Sequence, residues 1–222
     1  MKNLKYNTVL FDLDGTLTDP GEGITNSVMH SLKYFGIEES DRTKLYKFIG
    51  PPLWESYEVF YGFSHEQAIK AVEHYREYYK VKGIYENYLY EGVKEMLETL
   101  KSNGIKILVA TSKPEKFANI ILEHFEIAKY FDFIGGAAMD GSRVNKDDVI
   151  AYTLKSAGVN GSIGCIMVGD RLHDVQGAKA LNMDSIGVLY GYGSKDELEA
   201  AGADYIAETP LMVTDIILKE GI

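Results

Sequence analysis

The chain has 222 residues, 45% of them hydrophobic and 25% charged, enough for one large domain or a core domain with a smaller one. Its net charge of -10 argues against binding nucleic-acid polymers, which runs on Lys and Arg neutralising phosphates. It leaves a phosphorylated small molecule open, because a bound cation and a few local bases reverse the field in one cleft.

The first predicted element is Val9–Phe11, an apolar β-prone run too short for a helix, which reads as a buried parallel strand. Asp12 and Asp14 follow at its carboxyl end, and Gly15 lets the chain turn. Open α/β sheets bind ligands at the carboxyl ends of their strands. Two carboxylates there suit a hard divalent cation and a phosphate. At roughly 4 Å in an effective dielectric near 20, each like-charge contact costs about 4 kcal/mol unless a cation offsets it. Taken alone, an Asp-x-Asp also serves turns and caps.

Asp19-Pro20-Gly21 then reads as a hinge-like turn. A helix is expected over Gly23–Phe35, with Ile24, Val28, Leu32 and Phe35 on one face and Gly36 as its stop. Further helices are expected over Thr43–Phe48, Leu53–Tyr61 and Glu66–Lys80, the last with Ser64 to Gln67 as a capping box. From Gly92 the rhythm changes. Helices over Val93–Ser102, Pro114–Phe125, Lys146–Ala157, Val175–Leu181, Glu197–Ala201 and Pro210–Leu218 alternate with strands. Those strands are Ile105–Ala110, Phe131–Gly135, Ile163–Val168, Ser185–Leu189 and Tyr205–Ile206. Alternation of this kind implies a parallel sheet covered on both faces, a Rossmann-like doubly wound α/β core. The core takes residues 1–18 plus 88–222, and a helical insert at 19–87 hangs from linkers near Thr18–Glu22 and Gly83–Gly92.

Cys165 is the single cysteine, so no intrachain disulfide can form, and in its apolar run it reads as a small buried hydrophobe. No basic-then-apolar leader opens the sequence, and no apolar run approaches about 18 residues, so a cytoplasmic protein without a membrane partner is expected.

Three more strand ends carry chemistry. Thr111-Ser112-Lys113-Pro114 offers hydroxyls before a helix N-terminus, a phosphate-oxygen donor site or a plain helix cap. Lys146 opens a helix, against the helix dipole; such a lysine neutralises a phosphate or a carboxylate, or is a solvated surface charge. Gly169-Asp170-Arg171-Leu172-His173-Asp174 again places carboxylates at a strand's carboxyl end, although Asp174 could be only the N-cap of a helix from Val175. His173 reads as an exposed loop histidine rather than a ligand. An all-oxygen donor set favours magnesium over zinc.

In chain order the four strand ends carry Asp-x-Asp, Thr/Ser, Lys and Gly-Asp-x-x-x-Asp. This set resembles the haloacid dehalogenase superfamily of phosphohydrolases over nearly the whole chain, and Asp12-Leu13-Asp14-Gly15-Thr16-Leu17 matches the signature of that family. The stretches Ile49 to Ser56 and Gly169 to Val175 resemble its phosphoglycolate-phosphatase-like and bacterial 5′-nucleotidase-like branch. The resemblance implies a magnesium-dependent phosphatase of small phosphate monoesters. Asp12 would be the nucleophile, forming an aspartyl-phosphate, and Asp14 the general acid, then the base that activates water. Thr111 would bind the phosphoryl group, with Ser112, Gly15 and Thr16 contributing, and Lys146 would offset its charge. Asp12, Asp170, Asp174 and the backbone carbonyl of Asp14 would surround the metal.

The same resemblance makes the insert a cap domain that closes over the site. Gly50-Pro51-Pro52 either presents Leu53 and Trp54 to substrate or rigidly connects two helices. Arg42, Lys47 and Arg76 are weighed as contacts to an anionic leaving group and preferred as solvated charges. Tyr75, Tyr78 and Tyr79 share a helical face and read as packing residues; the sharper expectation is that Trp54 or a tyrosine of 75–90 stacks on a nucleobase. A sugar-phosphate mutase and a noncatalytic binding protein on the same fold are the alternatives. A carbon–halogen hydrolase is disfavoured, because that branch lacks the acid that Asp14 would supply.

Overall fold

The computed structural model describes residues 4–219. Strand β1 (Thr8–Phe11) is buried along its whole length, and β2 (Thr18–Asp19) follows the turn after it. Helix α1 (Gly21–Tyr34), a 3₁₀ segment (Arg42–Phe48), α2 (Leu53–Tyr61), α3 (His65–Tyr78) and a π turn (Tyr79–Gly83) come next. The chain returns through β3 (Tyr88–Leu89), α4 (Val93–Ser102), β4 (Lys106–Pro114), α5 (Glu115–His124), β5 (Phe133–Ala137) and α6 (Lys146–Ser156). It ends with β6 (Cys165–Gly169), α7 (Leu172–Ala180), β7 (Asp184–Val188), α8 (Lys195–Ala201), β8 (Tyr205–Ala207) and α9 (Pro210–Ile217).

These elements make two compact units, Met1–Thr18 with Leu89–Ile222, and Asp19–Tyr88. The first is α/β. Six parallel strands lie in the order β5-β4-β1-β6-β7-β8, a doubly wound sheet whose sequence order reverses beside the central β1. Phe11 stands level with Val109 on one side and Val168 on the other, so Asp12, Thr111 and Asp170 all emerge from the same edge. Leu10, Leu108, Met167 and Cys165 pack with Val149, Ile150 and Leu154 of α6. Burial on both faces is why these strands read as continuous apolar runs. Emptying one such site, as in Phe11→Ala, costs about 3–5 kcal/mol.

The second unit is helical. Ile24, Val28 and Leu32 of α1 are buried, as are Ala68, Ala71, Val72 and Tyr75 of α3. Gly36, at φ 71, follows α1, and the N–H of Ile37 donates to the Leu32 carbonyl, closing the end. Ser64 and Gln67 form the capping box that starts α3. Tyr75 and Tyr79 stack at 5.3 Å between ring centroids. Arg42 is half-buried and tied to its own unit: it donates to the Glu22 carbonyl, Thr25 Oγ1 and Asn26 Oδ1 along α1. Lys47 lies 4.4 Å over the Phe60 ring.

Several boundaries depart from expectation. Strand β4 runs on through Pro114, which pairs with Ala137 after a register irregularity, so Thr111 and Ser112 are strand residues and cap no helix. The segment expected as a helix before Phe48 is a 3₁₀ segment, and the one expected to run to Lys80 ends at Tyr78 and widens into the π turn. Helix α7 starts at Leu172, three residues early, which makes Asp174 a first-turn residue and not an N-cap. His173 is therefore helical and half-buried rather than an exposed loop residue. Lys146 does open α6, but it is buried, which removes the surface-charge alternative.

Candidate active site

Asp12 follows β1 directly, and its N–H continues the ladder to the Val168 carbonyl at 2.9 Å. The chain then turns tightly: the N–H groups of Leu17 and Thr18 both donate to the Leu13 carbonyl. Gly15 carries that turn at φ 82, and a Cβ there would occupy the space of the Asp170 carboxylate. A side chain at 15 is thus excluded twice, by backbone conformation and by contact.

Lys146 reaches the sheet edge from the first turn of α6. Its Nζ lies 3.0 Å from Asp12 Oδ1 and 2.7 Å from Asp174 Oδ1, and donates to the Ala110 carbonyl at 3.2 Å. Burial pulls the ammonium down, but Asp12 and Asp174 together outweigh it and hold Lys146 above its ordinary value. Asp174 Oδ2 accepts from the Arg171 N–H at 3.1 Å. Burial pushes the Asp174 carboxyl up to about 6 against the pull of Lys146. Asp170 Oδ2 accepts from the Tyr192 N–H at 2.7 Å, while its buried Oδ1 has no hydrogen-bond partner among the described residues. Burial, then Asp174 and Asp12, raise Asp170 well above the carboxylate range.

Asp12, Asp170 and Asp174 each place an oxygen within 4.8 Å of the others, all buried. Three carboxylates against one ammonium leave two negative charges uncompensated if all are ionised. A divalent cation cancels that excess, the donors are all oxygen as hard cations require, and Asp170 Oδ1 is an orphan acceptor at the spot. The residues present fit such an ion.

Asp14 stands apart from this trio. Its Oδ2 is 2.5 Å from Lys113 Nζ, with both side chains largely buried, and its Oδ1 is a second buried acceptor without a partner among the described residues. Burial raises its pKa, Lys113 opposes the shift and Asp12 adds to it. Two carboxylates two residues apart thus have different surroundings: Asp12 faces Lys146, Asp14 faces Lys113. Thr111 is buried and its Oγ1 accepts from the Lys113 N–H at 3.2 Å. Ser112 is half-buried beside it. Thr16 is fully buried, with its hydroxyl unpartnered among the described residues.

The sheet therefore brings Asp12, Lys146, Asp170 and Asp174 together and leaves the Asp14 side chain with Lys113. His173 is no member of the trio; burial, then Arg171 and Lys146, lower its pKa. Sequence reasoning missed Lys113 and Tyr192. The available signals were a lysine before proline at a strand end, and a residue between two glycines just past another strand end.

Residues 9–188 match the sequence model of the haloacid dehalogenase-like hydrolases. A 5′-nucleotidase of Pseudomonas aeruginosa is 48% identical over 197 residues, 89% of this chain and 89% of its own. Tyrosine-protein kinase PtkA of Mycobacterium tuberculosis is 41% identical over 192 residues, which cover 86% of this chain and 65% of that protein. The crystal structure of a predicted phosphatase from Clostridium acetobutylicum superposes with a TM-score of 0.93 at 49% identity, covering 96% of this chain and 98% of the other.

Proposed function

The chain belongs to the haloacid dehalogenase-like hydrolase family and is a phosphoric monoester hydrolase, and we propose that it is a magnesium-dependent phosphatase acting on nucleoside 5′-monophosphates through an aspartyl-phosphate on Asp12. The observation that carries the chemistry is the Lys146 ammonium between Asp12 and Asp174, beside the orphan oxygen of Asp170. The 48% identity to a protein named 5′-nucleotidase carries the substrate class; phosphoglycolate is the competing class.

In the first step an Asp12 oxygen attacks phosphorus, the ester P–O bond breaks, and the leaving oxygen takes a proton from Asp14. In the second, Asp14 takes a proton from water, the water oxygen attacks phosphorus, and the bond to Asp12 breaks to give inorganic phosphate. Splitting the reaction makes two easier steps of one hard step. A carboxyl raised by burial suits the acid, and Lys113 beside it suits the conjugate base. Lys146 offsets the charge of Asp12 and of the phosphoryl group. The Thr111 hydroxyl, with Ser112, Gly15 and Thr16, binds phosphoryl oxygens. Asp12, Asp170 and Asp174, with the Asp14 carbonyl, would hold the magnesium ion. When bound, the ion supplies the positive charge that lets one anion approach another. By the family resemblance, the helical unit takes the part of a cap domain.

Phosphate release should be measured with and without magnesium on nucleoside monophosphates, phosphoglycolate, hexose phosphates and pyrophosphate, with Asp12→Asn as control. A magnesium-dependent signal greatest on nucleoside monophosphates and lost in the control is expected. Release unchanged by Asp12→Asn refutes the mechanism; a preference for phosphoglycolate refutes the substrate class. The similarity to a protein named as a tyrosine kinase supports a second reading, transfer of the phosphoryl group to a hydroxyl other than that of water. Substrate turnover without release of inorganic phosphate would favour it.

A further inference from the structure

Between β7 and α8 the chain reads Leu189-Tyr190-Gly191-Tyr192-Gly193-Ser194. Both ends are anchored. The Leu189 N–H donates to the Ala207 carbonyl at 2.9 Å, and the Ser194 hydroxyl caps α8 by accepting from the Glu197 N–H at 3.1 Å. Glu197 in turn accepts from Arg171 Nε and from the Leu172 N–H, both at 2.9 Å, and so fixes α8 to the start of α7. The Tyr190 ring packs edge-on against Tyr90, 5.1 Å between centroids.

What lies between the anchors is pressed onto Asp170. A Cβ on Gly191 would run into the Gly15 carbonyl oxygen and the Asp170 side chain, and a Cβ on Gly193 would run into the Asp170 carbonyl oxygen. Both glycines are needed for the closeness of this approach. Between them the Tyr192 N–H donates to Asp170 Oδ2 at 2.7 Å. A main-chain donor on an ionised carboxylate makes a charge-assisted bond with a defined direction. It uses one oxygen and leaves Oδ1 buried and unpartnered, in the trio with Asp12 and Asp174.

We propose that the turn Tyr190–Gly193 is the positioning device of Asp170: the Tyr192 N–H holds one carboxylate oxygen so that the other is presented to a divalent cation, and Gly191 is the residue that lets the turn come close enough to do so. This rests on the reading of Asp12, Asp170 and Asp174 as a magnesium site. Groups that orient metal ligands in this way change metal affinity by about 10–100-fold when disturbed. Tyr192 acts through its backbone, so its ring is dispensable for this role and Tyr192→Leu keeps the magnesium affinity.

The test titrates magnesium chloride into the metal-free 222-residue chain by calorimetry, for wild type, Gly191→Ala and Tyr192→Leu, with circular dichroism reporting the fold. Expected is a dissociation constant raised about 10–100-fold in Gly191→Ala, unchanged in Tyr192→Leu, with kcat of Gly191→Ala restored once magnesium is raised in proportion. A purely structural lesion would not be restored by metal. Should Gly191→Ala fail to fold, amide NMR on wild type decides: the Tyr192 N–H is expected to resist hydrogen exchange and to shift on adding magnesium. Equal affinities, or a Tyr192 amide that exchanges like open loop, overturn the turn's role and leave the magnesium site standing. Absence of magnesium binding by wild type overturns both.

Discussion

Asp12, Lys146, Asp170 and Asp174 of the α/β unit are each 6% exposed or less, and their charges face one another. In the helical unit each charge pair among the described residues has an exposed member: Lys44 with Glu39 and, when the imidazole is protonated, His65 with Glu58 and His30 and His74 with Glu77. Its interior holds rings, Phe48 against Tyr57 and Tyr57 against Phe63. Among the described residues, the buried side-chain amide of Asn87 in this unit has no hydrogen-bond partner, and it is neutral. Buried charge is expensive unless paired, so one unit bears a cost that the other avoids. Surface pairs contribute about 0–1 kcal/mol, and truncating one shifts little. Breaking the buried set leaves an uncompensated carboxylate. The contrast teaches where substitutions act on stability: through paired buried charge in the α/β unit, through packing in the helical one.

The strongest way to break this contrast is Lys146→Met. It leaves Asp12 and Asp174 buried without their cation, so metal-free stability should fall by about 3–5 kcal/mol. Turnover should fall about 10²–10³-fold, the size of losing one charge-stabilising group. Chemical denaturation and phosphate release check the two effects. A variant as stable as wild type would show that the charges are not coupled. Asp14→Asn should lower kcat by about 10²–10⁴-fold on alkyl phosphates and far less on p-nitrophenyl phosphate, whose leaving group needs no proton. Equal losses on both substrates would remove Asp14 from the acid role.

Metal removal sharpens the same point through pH. Without metal, burial holds Asp174 at about 6 and Asp170 well above its ordinary value. The folded chain then binds more protons than the unfolded one across this window. The associated stability is present below the unfolded carboxylate range, at about pH 4, and is lost as pH rises through 6. Melting in chelator should therefore show the protein about 1–3 kcal/mol more stable at pH 5 than at pH 7, and saturating magnesium should flatten the difference. A metal-free protein that gains stability over that rise would contradict the raised carboxyls.

How far this was legible from sequence follows from which signals are local. The interior strands are continuous apolar runs, so β1 and β6 stand out without a structure. Asp12, Lys146, Asp170 and Asp174 each sit beside the end of a readable element, and the parallel topology does the gathering. The tail of β4 was hidden because Pro114 looks like a helix start, whereas its pairing with Ala137 is a tertiary ladder. Lys113 gave no sign of its partner, since Asp14 lies 99 residues earlier in the chain. The strands β2 and β3 are two residues each, below any periodicity. Arg42 looked like any surface arginine, because the carbonyl, hydroxyl and amide it meets are a feature of how α1 is placed.

The helical unit yields the smallest effects, and they separate packing from recognition. Trp54 is half-buried and meets His65 edge-on at 5.5 Å. If its face stacks on a nucleobase, Trp54→Ala should lose about 1–3 kcal/mol of nucleotide affinity, a KM effect absent with p-nitrophenyl phosphate. Arg42→Ala removes hydrogen bonds to neutral acceptors on α1, each contributing about 0.5–1.5 kcal/mol net. Partial exposure lets water replace some of them, so the loss in stability should stay near 1–2 kcal/mol. Its kcat on p-nitrophenyl phosphate should not change. Were Arg42→Ala instead to leave the melting temperature alone and raise KM for nucleotides but not for p-nitrophenyl phosphate, its guanidinium would be reading the leaving group, and the division between a unit that buries charge for chemistry and one that places it for packing would not hold.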